Sequence, residues 1–172
     1  MWGMIKRICL LIFVVALLSG CSNKKLTIEG YVIDISNDQV TLSTHYINGD
    51  EIYSLASFKL TNSIELAEGS KVSSNHLKQG HYVTVNATGN IEDSLPFITK
   101  ALNIKINNSN ENELLSNIQT ALTTLELNKL YFLREVIEDG DSISVLVEYL
   151  DGNQETIKVN KKDNEIIEKF NR

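Results

Sequence analysis

The chain changes its hydrophobic rhythm along its length. Ile8 to Leu18 is an unbroken apolar run preceded by Lys6-Arg7. Its length falls within the roughly 7–15 residues of a secretory leader and is too short for a helix to cross a bilayer. From Leu26 the pattern turns to alternation of period two, the mark of half-buried strands. Leu26 and Ile28, then Tyr31, Ile33 and Ile35, form the first, and the change of apolar parity at Gly30 predicts a bulge there. Val40, Leu42 and Tyr46 form the second, after a turn at Ser36-Asn37-Asp38. Ala56, Phe58, Leu60, Ile64 and Leu66 form the third, with Ser57 and Lys59 facing water. Val83, Val85 and Ala87 form the fourth, and Ile98, Leu102, Ile104 and Ile106 the fifth.

A polar linker, Asn107 to Asn110, separates these strands from a second pattern. Asn110 with Glu113 makes a capping-box-like start, and Leu114, Leu115, Ile118, Ala121, Leu122 and Leu125 follow at helical spacing. Thr123-Thr124 withdraws support from that helix. Asp139-Gly140 and Asp151-Gly152-Asn153 are hairpin signals flanking the alternating Ile143, Val145, Val147 and Tyr149, after which Ile157 and Val159 continue. Tyr131 to Ile137 fits a strand or a helix; the strand is favoured because Asp139-Gly140 would pair it with the next one.

These elements predict a mainly β protein with an α+β part. No helix of useful length lies between the first five strands, so closing their sheet on itself would supply both a core and protected edges. Residues 26–107 are therefore expected to form a small five-stranded barrel, and residues 111–172 a helix followed by an antiparallel meander. Leu77-Lys78-Gln79-Gly80-His81-Tyr82-Val83-Thr84-Val85, with Ala101 to Ile106, resembles the OB-like domains of bacterial envelope lipoproteins. The resemblance implies that Gly80 supplies a backbone angle other residues resist, and it implies no particular activity. Ser144 to Gly152, Ile157 to Val159 and Asn164 to Ile167 resemble PepSY-like domains of secreted and tethered bacterial proteins, although Lys161-Lys162-Asp163-Asn164 lacks the usual glycine of the last turn. That likeness implies a binding or regulatory accessory.

The apolar run ends in Leu18-Ser19-Gly20-Cys21. This motif resembles the lipobox of bacterial lipoprotein precursors, which implies that residues 1–20 are a signal peptide and that the Cys21 thiol carries diacylglycerol. Residues 21–25 would be the tether, and the protein would lie on the extracytoplasmic side of the cell membrane. Two acyl chains suffice for stable anchoring where one is marginal. Abundant Asn, Ile and Lys beside one Pro fits an AT-rich Gram-positive genome; in a Gram-negative host, Ser22 would direct the protein to the outer membrane.

Cleavage before Cys21 would leave 152 of the 172 residues and, with Lys6 and Arg7 gone, move the net charge from −6 to −8. An acidic body argues against nucleic acid as a partner, since that affinity rests on neutralising phosphates. Lys24-Lys25 would lie beside the headgroups. Cys9 would leave with the leader and Cys21 would be acylated, so no disulfide or thiolate metal site is expected.

The three histidines are spread out: His45 on a water-facing position, His76 in a polar connection, and His81 at a strand start where its ring would reach water. None has the spacing of a zinc site. No nucleophile motif and no phosphate loop is present, so neither cofactor nor metal is expected, and an enzyme, such as an envelope hydrolase, is the least favoured class. The leading expectation is a non-catalytic binding or accessory module for an envelope protein or a cationic peptide. The alternative is a structural or stress-related surface lipoprotein with a mainly steric role. Asp50-Glu51 and Glu92-Asp93 would sit in the first–second and fourth–fifth regions of a barrel, and Tyr46, Tyr53, Phe58 and Tyr82 add aromatics nearby; Tyr46, Asp50, Glu51, Tyr53, Glu92 and Asp93 are the candidate ligand face.

Overall fold

The computed structural model describes residues 25–60, 64–88, 94–107, 112–125 and 129–171. Cys21, Glu92 and Asp93 lie outside them, as does Asn110 of the expected capping box. The first sheet contains β1 (Lys25–Ser36), β2 (Gln39–Ile47), β3 (Asp50–Lys59), β4 (Ile64–Leu66), β5 (Lys71–Val72), β6 (Tyr82–Thr88) and β7 (Phe97–Ile106). Its order is β3-β2-β1-β6-β7-β4-β5, and β3 also pairs in parallel with β7. Pairing therefore returns on itself through β1, β2, β3, β7 and β6. Ile28, Val32, Leu42, Phe58, Val85 and Ile104 fill the interior of that ring, each contributing about 1.5–3 kcal/mol by leaving water.

The second sheet is a meander of β8 (Tyr131–Asp139), β9 (Ser142–Tyr149), β10 (Gln154–Asn160) and β11 (Ile166–Asn171). One helix, α1 (Asn112–Thr123), covers a face of it. Tyr131 to Ile137 is thus a strand, joined to β9 through Gly140 at a positive φ. The Thr123 and Thr124 hydroxyls donate back to the carbonyls of Thr120 and Ala121, and the helix stops there. Asn164, at φ 60°, takes the left-handed conformation in the turn that lacks a glycine.

Several expectations for the first sheet need correction, among them that Ile98 and Leu102 share the buried parity of Ile104 and Ile106, since both are exposed. Gly30 does not reverse the parity of β1: Leu26, Ile28, Gly30 and Val32 all face inward. The ladder irregularity beside it comes from His45, an extra residue on β2, and the bulged residue of β1 is Ile33. Glycine is required at position 30 by proximity, since a Cβ would lie 2.1 Å from the Ser43 carbonyl oxygen. The third strand ends at Lys59, where the Leu60 N–H leaves the ladder and donates to the Asp38 carbonyl. Ile64 and Leu66 belong instead to β4, parallel to β7. Ser57 is buried rather than facing water. His81 is buried too, its Nδ1 accepting the Lys78 N–H at 3.0 Å, and loss of hydration lowers its pKa to about 4.

The two sheets share a seam. Ile33 and Leu55, from the outer side of the first sheet, join Ile118, Leu122, Leu133 and Val145 in one core. Gly80 (φ 87°) lies against the helix, where a Cβ would be 3.1 Å from both Leu115 and Ile118. Gln119 donates to the Gln79 carbonyl and Gln79 to that of Ile33.

Candidate functional site

Because β1 keeps its parity, Tyr31 faces outward beside its register partner Tyr82 on β6. His45, the residue β2 inserts between Thr44 and Tyr46, is turned toward them. The Tyr31 ring is 4.9 Å from Tyr82 and 5.4 Å from His45, and His45 is 5.3 Å from Tyr53. All three contacts are edge-to-face, the arrangement ring quadrupoles favour.

The facing wall comes from the second sheet. Ser43 and His45 hold the edge of β8: the Leu133 N–H donates to Ser43 Oγ at 2.8 Å, and His45 Nε2 lies 2.7 Å from the Leu133 carbonyl. A carbonyl only accepts, so Nε2 carries the proton in that bond. The β8 ladder then slips between Leu133 and Glu135, leaving Arg134 as an extra residue. Its guanidinium sits 4.2 Å over the Tyr53 ring, and its Nε donates to Glu148 Oε2 at 2.9 Å. Gln154 donates to the same oxygen at 3.1 Å. The hydrogen bond from Arg134, then that from Gln154, holds the Glu148 carboxyl below its usual pKa.

Between these walls runs an open cleft of about 790 Å³, which Glu135, Val136 and Leu146 also line. It offers an aromatic wall, one guanidinium with its ring and carboxylate partners already in place, and the further carboxylate of Glu135. Among the described residues, no group of three His, Cys, Asp or Glu side chains converges as a metal site would.

Of the expected ligand face, Tyr53 lines the cleft. Glu51 stands behind it, accepting the Tyr53 hydroxyl at 2.7 Å; that bond leads the causes that raise the tyrosine's pKa. Tyr46 is partly exposed, opposite Glu29 and Glu51 in register. Asp50 is exposed at the start of β3. Asp50 and Glu51 thus belong to the β2–β3 hairpin, not to a first–second connection, because the tight turn at Asn37-Asp38 joins β1 to β2. Sequence reasoning placed Tyr82 near the candidate face, and the structure puts it in the cleft wall; it missed Tyr31, His45, Arg134, Glu148 and Gln154. One signal was available: Arg134 directly follows the apolar Tyr131-Phe132-Leu133 that opens β8. No protein-family model, curated protein or solved structure matches this chain.

Proposed function

We propose that this chain is an extracytoplasmic lipoprotein, acylated at Cys21, whose folded part is a non-catalytic binding or accessory module of the cell envelope. The observation that carries the binding half is the aromatic cleft between the two sheets. Glu135 and Glu148 outnumber Arg134 there, which favours a cationic partner such as a basic peptide or an amine-bearing envelope polymer. Aromatic rings supply contact area at small entropic cost. The anchoring half rests on Leu18-Ser19-Gly20-Cys21 after the basic apolar leader.

We read the five-stranded ring as an OB-like barrel. Its support is the ring order β1-β2-β3-β7-β6 with a parallel β3–β7 contact. In such barrels the outer face of the second and third strands is the usual ligand surface, and His45 and Tyr53 come from those strands. The helix and meander keep the order expected of a PepSY-like unit.

The reading is tested by purifying the protein from chemically crosslinked membranes. Wild type should bring down a stoichiometric partner, and the Tyr53→Ala, Glu148→Ala double variant should lose it while keeping its thermal transition. A wild-type protein that captures nothing favours the steric role. Equal capture by the double variant places binding elsewhere.

A further inference from the structure

The tether is short, and among the described residues the surface at its far end carries lysines. β1 opens at Lys25, four residues after Cys21. However those residues are arranged, they span at most about 14 Å. A lipid on Cys21 therefore brings the surface around Lys25 against the headgroups. That surface can be followed through the register: Lys25 stands opposite Thr88, and Thr88 opposite Lys100. Phe97 and Ala101 of β7 face the core, so Ile98 and Lys100 between them face outward. The ladder slips at Leu102, which is also left outside. Lys59, one position beyond the Phe58–Thr99 pair, adds a third cation beside Lys100.

Large apolar side chains are usually scattered singly on a surface, but here one in the bend before β7 is followed by two on the strand itself. Leu95, Ile98 and Leu102 are 47%, 51% and 47% exposed. Apolar groups among lysines match the headgroup boundary of an anionic bilayer, where lysine stems cover apolar surface while their ammonium groups reach phosphate. The rest of the body is acidic and is repelled by the same charge.

We propose that this β6–β7 face is a membrane foot: Leu95, Ile98 and Leu102 enter the interface of an anionic bilayer, and Lys25, Lys59 and Lys100 bind its phosphates. The inference rests on acylation at Cys21 and adds a fixed orientation to it. Tyr31 lies six positions beyond Lys25 on β1, so the aromatic cleft is about 20 Å along the strand from that lysine. The cleft and the foot are thus separate surfaces, and the cleft stays open to a partner in the envelope.

The test uses the full lipidated protein with one added cysteine carrying an environment-sensitive dye, at Leu102→Cys or, as control, at Ile167→Cys on the exposed edge of β11. Each protein is reconstituted in vesicles of phosphatidylcholine and phosphatidylglycerol containing a headgroup-quenching lipid, then floated. The expected result is that both float, the dye at position 102 loses most of its emission, and the dye at 167 keeps it. Lys25→Glu with Lys100→Glu should restore emission at 102. Floating protein with equal emission at both positions overturns the foot and leaves the anchor standing. Protein that does not float overturns the anchor and the foot with it. Quenching that survives charge reversal overturns the role given to the lysines.

Discussion

Single residues carry constraints of quite different kinds. At Gly30 the constraint is proximity: the atoms a Cβ would strike are β2 backbone, which cannot swing aside. Gly30→Ala should cost on the order of 3–5 kcal/mol. Gly49, at φ 89° with nothing within 4 Å of where a Cβ would lie, is limited only by its backbone angle. Gly49→Ala should cost about 1 kcal/mol. Urea unfolding of both variants checks the ordering, and equal losses would contradict it. His81 is constrained by burial. Its folded pKa, about 4, lies below the ordinary histidine value of 6.5, so the unfolded chain binds the extra proton first. The stability held by the neutral ring is complete above about pH 6.5 and is lost as pH falls toward 4, by about 3 kcal/mol. His81→Asn should be less stable than wild type at neutral pH but show a flatter acid slope over that window. An unchanged slope would contradict the assignment.

Elements were legible where one local rule decided them. The helix, the two glycine hairpins and β8 follow from spacing and turn residues, and the second sheet appears as expected. The bulges at Ile33, His45 and Arg134 were not legible, because alternation shows only that parity changes and not which strand holds the extra residue. For that reason alternation groups Tyr31 with the buried Ile33, whereas it lines the cleft. The binding face was legible in part: Tyr53 stands out by its aromatic character, whereas Arg134 and Glu148 depend on a contact between distant strands. The seam between β2 and β8 has its own test. Ser43 is buried, and its hydroxyl satisfies the Leu133 N–H. Ser43→Ala leaves that donor unpaired and should cost about 1–3 kcal/mol, read as a lowered midpoint in thermal unfolding. A midpoint equal to wild type would show that the β8 edge is held without it.

At the scale of the whole molecule, the linker near Asn107 separates two sheets in sequence, yet Ile33 and Leu55 place part of the first sheet in the core of the second. Alternation could not reveal this, since a residue on the outer face of a closed ring has the same period as one facing water. The consequence is functional. The seam fixes the angle between the sheets, and that angle forms the cleft from Tyr31, His45, Tyr53 and Tyr82 on one side and Arg134 and Glu148 on the other. The central claim is that an anchored module binds its partner in this cleft. Its most direct test is a photo-reactive side chain placed at Gln154 in the lipidated protein in living cells, with a second at Ile137, which is exposed on β8 beyond the residues lining the cleft. Illumination should give one discrete crosslinked species from position 154, lost when Tyr53→Ala is added, and none from 137. A discrete species from 137 with none from 154 would contradict the account.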